Sequence, residues 1–352
     1  MAIKATKTAK MEWSMAVRVG TEFMKQKKNI MFTGMPGIGK TALAELIQKR
    51  LGYDMIKLHL SIADPTDVKG LPVWFEEKNG EKKAYFIPFG ELRALVDAKR
   101  PTICFLDDFG QAPPAVQAAT MQLLHGGTLN QLQVSKHIRF MACTNRKQDR
   151  AGVTGMLEPV KSRFHGIFEL VPELEPVLQH GISKGWPPAL IAFMRHRPEW
   201  LVGGEFGWAP EADICNQACP RTIEHLADCI KMGFDSATNA TVYAGAVGTA
   251  MAGEYCAFES LVLRMPDMDT VLNNPLGAEV PTTPDIQYAL IGALHARMDR
   301  QNLENIYKYI DRAFTKEMQL VFHMDVKNYN ADLQHTPAYI NWVAKNGDKL
   351  AN

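Results

Sequence analysis

The chain has 352 residues, 46% of them hydrophobic and 22% charged, which is enough for two or three domains with real cores and excludes a small stapled fold. Thirty-nine basic residues against 38 acidic ones leave a net charge of +1, so no global attraction to a nucleic-acid backbone is expected. Six cysteines are scattered along the chain, two of them in apolar strand-like runs; that usage points to buried thiols, and Cys215 and Cys219 have no second pair at zinc-site spacing.

The opening MAIKATKTAKMEW lacks an apolar signal core, and no run of eighteen apolar residues occurs anywhere, so a cytoplasmic protein without membrane contact is expected. Helical periodicity over about 12–26 ends in Lys25-Gln26-Lys27-Lys28, cations that complement the helix dipole. An apolar strand at 29–33 then runs into Gly34-Met35-Pro36-Gly37-Ile38-Gly39-Lys40-Thr41 and directly into a helix over about 40–50. Strand, G-x-x-x-x-G-K-T loop and helix, in that order, form the context of a phosphate-binding loop. The glycines let the loop wrap so that backbone N–H groups face phosphate oxygens, and the helix N-terminus adds its dipole. Lys40 is expected to bridge the β- and γ-phosphates of ATP, and the Thr41 hydroxyl to ligate Mg²⁺.

A second strand is expected at 54–60, followed by a hairpin inserted at about 71–90, LPVWFEEKNGEKKAYFIPFG, in which Asn79-Gly80 signals a type I′ turn. Its aromatics Trp74, Phe75, Tyr85 and Phe86 either grip a client or pack the hairpin on its own domain. The strand at 102–107 ends in Asp107-Asp108; Asp107 suits the metal's water shell and Asp108 the role of general base. A helix at about 114–124 and a second hairpin-like stretch at 126–135 lead to the strand at 137–143. Asn145 follows it, with an amide that can both donate to and accept from a lytic water. The last strand is expected at 165–171. All five are apolar nearly throughout, as strands buried on both faces are, so a parallel sheet covered by helices is predicted. Beyond about 173 helical periodicity takes over, at 187–197, 221–232, 239–263, 285–298 and 302–320, with the Pro/Asn/Gly-rich interval 266–284 as a linker candidate.

Taken in order, these segments resemble the AAA+ ATPases, and within them the MoxR-like group of the helix-2-insert branch. GMPGIGKT resembles the Walker A element, FLDDFGQAPPAVQAATMQLL the Walker B strand with its following helix, and FMACTNR the sensor 1 strand. MLEPVKSRF resembles the arginine-finger segment and ACPRTIEHL the start of the sensor 2 helix, while the hairpin at 71–90 sits where that branch carries its insert. The resemblance covers about residues 11–265. It implies a P-loop α/β domain over 1–175 with a five-stranded parallel sheet, a helical lid over 176–265 and a helical C-terminal extension over 266–352.

The same resemblance makes Arg163 the finger that reaches the ATP of a neighbouring subunit and Arg221 the sensor 2 residue. A planar, always charged guanidinium suits charge that develops on a phosphoryl group. Glutamate is usual where Asp108 stands; the carboxylate is drawn back by one C–C bond, about 1.5 Å, which implies modest hydrolysis. ATP and Mg²⁺ are the implied cofactors, and the implied assembly is a homo-oligomeric ring, most often a hexamer. The implied work is remodelling of a separate protein client, commonly a von Willebrand A-domain protein. Two alternatives stand beside it: a motor or loader on nucleic acid, which the neutral charge disfavours, and a weakly hydrolysing scaffold switch.

Overall fold

The computed structural model describes residues 8–129, 132–149, 152–153, 155–201, 214–261 and 265–346. Its contacts divide the chain into two units, Met1–Glu173 and Leu174–Asn352. In the first unit the elements follow in the order β1 (Ala9–Glu12), α1 (Trp13–Lys25), β2 (Ile30–Thr33), α2 (Lys40–Leu51), β3 (Asp54–His59), α3 (Pro65–Lys69), β4 (Leu71–Glu76), β5 (Lys82–Ile87) and α4 (Gly90–Asp97). Then come β6 (Thr102–Asp107), α5 (Pro114–Gly126), β7 (Thr128–Leu129), β8 (Leu132–Gln133), β9 (Ile138–Thr144), α6 (Glu158–Lys161) and β10 (Gly166–Val171).

Six strands form one sheet in the order β1-β10-β2-β9-β6-β3, and every pairing in it is parallel. The five strands expected from apolar runs are all present, and the sheet gains a sixth. β1 is the addition: AKME carries a single buried side chain, Met11, and holds its place by pairing with Phe168–Val171 at the sheet edge. Four residues with one apolar contact give no periodicity to read. β9 and β6 both lie inside the sheet, and Ile103, Cys104, Phe105, Leu106, Met141, Ala142 and Cys143 are fully enclosed by helices on both faces. α2 meets this core through Leu43, Ala44 and Ile47, one stripe at helical spacing.

β4 and β5 form the expected antiparallel hairpin, with Trp74 opposite Ala84 and Phe75 opposite Lys83. The turn differs from the type I′ expectation. Gly80 N–H donates to Glu77 O at 2.8 Å and Glu77 N–H to Glu81 O at 2.8 Å, and only Gly80, at φ +79, enters the left-handed region. A five-residue connection built on a turn that ends in a left-handed glycine is the bulged alternative to the two-residue loop. Asn79 instead uses its side chain, whose Oδ1 accepts from Glu81 N–H at 3.0 Å. The short β7–β8 pair occupies the second hairpin-like stretch.

The second unit is helical: α7 (Leu174–Ser183), α8 (Pro188–His196), α9 (Pro220–Lys231), α10 (Ser236–Val247), α11 (Thr249–Ser260), α12 (Met268–Asn273), α13 (Pro284–Arg297), α14 (Leu303–Ala313), α15 (Lys316–Tyr329) and α16 (Pro337–Asn346). Two helices expected as single spans are each divided. Gly248, at φ +87 and with its Cβ position 2.9 Å from Asn216 O, separates α10 from α11; the Thr315 side chain caps α15 and separates it from α14. The interval expected as a linker carries α12, capped by Asp267 and anchored by fully buried Val271. Among the described residues no helix is long and apolar enough to cross a membrane.

Candidate active site

The loop between β2 and α2 leaves the carboxyl end of a central strand, the place where open α/β sheets present ligands. Gly37 and Gly39 have φ of +76° and +102°. At Gly39 a side chain is excluded twice over, by the backbone angle and by the Trp13 ring, which lies 3.0 Å from the Cβ position. Ile38, buried between them, pins the loop to the core. Gly39 caps α2 without a side chain, so the first-turn N–H groups of that helix face outward at the loop, where an anion would be stabilised.

Lys40 is buried, and its ammonium donates to Gly34 O and Met35 O at 3.0 Å each and to Asn145 Oδ1 at 2.6 Å. Burial holds its pKa below the usual ammonium range, while the fields of Cys143, Asp108, Asp149 and Asp107 act in the opposite sense. Thr41 Oγ1 donates to Asp107 Oδ2 at 3.3 Å. Burial, and next the charge of Asp108, raise the Asp107 carboxyl above its ordinary range; the Asp108 N–H, His59 and Thr41 pull it the other way. Two adjacent half-buried carboxylates beside a hydroxyl form a hard-oxygen set that a small divalent cation would stabilise, so Thr41 and Asp107 fit Mg²⁺.

Asp108 opens a short turn over 109–111 with φ +52°, in the left-handed region that few residues other than glycine adopt, aspartate among the more tolerant. Asn145 Nδ2 lies 3.5 Å from Asp108 Oδ1. The structure therefore gathers Lys40, Thr41, Asp107, Asp108 and Asn145 at the carboxyl ends of β2, β6 and β9. Arg163 is not among them. It precedes β10 at the amino end of the sheet, and the six residues of β10 put it about 20 Å along the strand from the phosphate loop. Its Nε is buried with no hydrogen-bond partner among the described residues. Arg221 stands exposed on the first turn of α9 in the second unit.

Several residues that support this arrangement were not singled out in the sequence. Asn29, just before β2, donates through Nδ2 to Leu124 O at 2.9 Å and to Arg163 O at 3.0 Å, fixing the backbone that carries Arg163. Buried Gln117 on α5 donates to Ala112 O and Gly155 O and accepts from Leu157 N–H, tying α5 to the segment ahead of α6. Arg146 pairs with buried Asp149 through Nη2 to Oδ1 at 2.7 Å and with Glu169 at 3.1 Å, while Asp149 also accepts from Arg146 N–H. This clamps the chain immediately after Asn145. The Arg-x-x-Asp spacing was readable; the Glu169 partner, on another strand, was not. Gly110 approaches so closely that a Cβ would sit 2.3 Å from Thr144 Oγ1, which its N–H uses as acceptor at 3.1 Å.

Residues 29–164 match the family described as AAA domain (dynein-related subfamily), and this segment is an AAA domain with the P-loop nucleotide-binding fold. No curated protein matches the chain. Solved structures that the chain is similar to include a mutant of RuvB from Thermotoga maritima, 16% identical, covering 87% of this chain and 85% of that one, with a TM-score of 0.42. The Thermotoga maritima RuvB Holliday junction branch migration motor is 14% identical over 88% of this chain and 86% of its own, at a TM-score of 0.38. NtrX from Brucella abortus, in complex with ADP, is 13% identical over 95% of this chain and 68% of its own, at 0.40.

Proposed function

We propose that this protein is an ATPase of the MoxR-like kind that assembles as a ring, most simply a hexamer, and uses ATP hydrolysis to remodel a protein client. The observation that carries the reading is the convergence of Lys40, Thr41, Asp107, Asp108 and Asn145 on one loop while Arg163 lies at the opposite end of the sheet. A finger so placed serves another copy's nucleotide. In this reading Lys40 and the loop N–H groups hold the phosphates, Arg163 of a neighbouring copy meets the γ-phosphate, and Arg221 is the sensor 2 residue. Mg²⁺, held at Thr41 and Asp107, would supply charge neutralisation on the phosphate oxygens. Asn145 orients a water; its oxygen bonds the γ-phosphorus as the bond to the bridging oxygen breaks and the electron pair leaves on ADP. Asp108 takes the water's proton. In the same reading residues 1–175 are the nucleotide-binding domain, 176–265 the lid and 266–352 the extension.

The client is engaged by the hairpin, where Trp74, Phe75 and Tyr85 are 63%, 48% and 41% exposed and Phe86 is half-buried. A von Willebrand A-domain protein is the client class to try first, in the cytoplasm. The decisive experiment mixes two inactive variants. Lys40→Ala lacks phosphate binding and Arg163→Ala lacks the finger, so a mixed ring contains some interfaces with both residues intact. In an equal random mix about a quarter of the interfaces keep both residues, so phosphate release is expected to return to roughly a tenth to a quarter of wild type. No recovery, with both variants assembling normally, refutes the shared site. Stimulation of the wild-type ATPase by DNA in a salt-sensitive way, and not by a protein, would replace the client reading with that of a nucleic-acid motor.

A further inference from the structure

Asp108 is the shortened member of the site, and its neighbour three residues on is built to hold it. The turn over 109–111 brings Gln111 back over Asp108: Gln111 N–H donates to Asp108 O at 3.0 Å and Gln111 Nε2 to Asp108 Oδ1 at 3.0 Å. The other end of that amide faces β9: Thr144 Oγ1 lies 3.5 Å from Gln111 Oε1 and 3.1 Å from Asn145 O, and accepts from Gly110 N–H at 3.1 Å. Thr144 is buried, and the Gly110 contact is too close for any side chain, so little space is left at this corner. Asn145 Nδ2 approaches the same Oδ1 from the other side at 3.5 Å. Donors from two elements thus converge on Oδ1, and among the described residues none reaches Oδ2.

We propose, resting on the reading of Asp108 as the base, that Gln111 is a positioning residue for hydrolysis. Its amide locks Oδ1 so that Oδ2 is the oxygen presented to the attacking water. An aspartate has one torsion fewer than a glutamate and cannot extend toward the γ-phosphate. With its backbone already fixed in the left-handed region, one well-placed donor is enough to set the remaining rotamer. Gln111 thereby exchanges reach for fixed orientation.

The test is a double-mutant cycle on the full chain with phosphate release as the readout. Gln111→Met keeps the length of the side chain and removes the donor; it is expected to lower kcat roughly tenfold, while KM for ATP and the affinity for a fluorescent ADP change less than about twofold. In an Asp108→Glu background the same change is expected to lower kcat less than about twofold, because a longer carboxylate moves off the oxygen position that Gln111 holds. Gln111→Glu, equal in length and unable to donate when ionised, should behave as Gln111→Met does, and Gln111→Ala replaces either variant that fails to fold. Unchanged kcat, or an equal loss in both backgrounds, overturns the assignment. Asp108→Asn separates the two levels. If it still hydrolyses at more than roughly a tenth of the wild-type rate, the base reading falls and takes Gln111 with it. If it is inactive while Gln111→Met is unaffected, the positioning role alone falls.

Discussion

Arg195 in the helical unit and Lys40 in the sheet unit are both buried cations, and the two are satisfied in opposite ways. In the helical unit Arg195 on α8 meets Asp325 on α15 through Nε and Nη2 at 2.9 and 2.7 Å, and meets Glu175 on α7 as well. Burial alone would lower its pKa, but the hydrogen bonds to Glu175 and the charge of Asp325 outweigh it and the pKa is raised. In the sheet unit Lys40 bonds only neutral acceptors, two carbonyls and one amide, and its pKa is lowered. A buried cation with carboxylates on it is a structural weld. One with neutral partners remains unneutralised and gains from an incoming anion. Neutral partners alone do not make a site, since buried Arg139 also donates to carbonyls, Met24 O and His137 O; Lys40 differs in standing on the glycine loop at the start of α2, where an anion is stabilised.

The largest expected effect follows from that contrast. Lys40→Met should weaken ATP binding by at least about 100-fold, in a fluorescent-nucleotide titration, with little loss of stability, because removing a desolvated charge offsets the hydrogen bonds lost by the three acceptors that stay behind. Asp325→Leu should do the reverse: it leaves buried Arg195 with Glu175 as its remaining carboxylate and destabilises by up to about 3 kcal/mol in urea unfolding, with ATP affinity unchanged. Adding Arg195→Met should recover most of that loss. If Asp325→Leu left stability intact and abolished ATP binding, the distinction between weld and site would collapse.

A smaller effect tests the helical unit alone. His295 is buried, stacks on Phe322 with ring centroids 4.6 Å apart, and hydrogen-bonds Phe322 O at 3.0 Å; burial, opposed by Asp325, pushes its pKa to about 4. His323, enclosed by Tyr307, Tyr339 and Trp342, is likewise pushed by burial to about 4. Both values lie below the unfolded one, near 6.5, so the unfolded chain takes up protons first on acidification. The neutral-ring contribution is complete above about pH 6.5 and is lost as pH falls toward 4, with a slope for His295 of up to about 1.4 kcal/mol per pH unit. Urea midpoints at pH 7.5, 6 and 5 measure it, and His295→Phe should flatten the decline. An unchanged slope in that variant would assign the acid sensitivity elsewhere.

Much of this was legible in the sequence, for physical reasons. Gly34 to Thr41 are contiguous and their backbone needs are local, and Asp107, Asp108 and Asn145 end apolar runs that can only be central strands. What could not be read rests on contacts across the chain. The Asn29 bonds to Leu124 and Arg163, the Gln117 latch and the Glu169 partner of Arg146 join residues that topology alone brings together. β1 was missed because an edge strand of four residues takes its stability from its partner. The division at Gly248 was missed because a glycine inside a helical pattern reads as tolerated until its left-handed backbone is seen. Gln111 is an intermediate case: its distance of three residues from Asp108 was visible, whereas its approach to Oδ1 requires the left-handed turn that Asp108 adopts.

The smallest expected effect belongs to the part of the sheet unit that carries neither weld nor site. In the β4–β5 hairpin the aromatic contacts are internal, Phe75 against Tyr85 at 6.3 Å and the Lys82 ammonium 4.9 Å from the Trp74 ring. Exposed rings with such partners contribute little to folding, so Trp74→Ser and Tyr85→Ser should each change stability by no more than about 0.5 kcal/mol. Thermal melts of the full chain measure this directly. A loss of several degrees would mean that these rings pack against the body of the unit, and the hairpin would then be a structural brace. If the melts are unchanged, the cluster is apolar surface kept exposed at no benefit to the fold, as a client-binding hairpin requires.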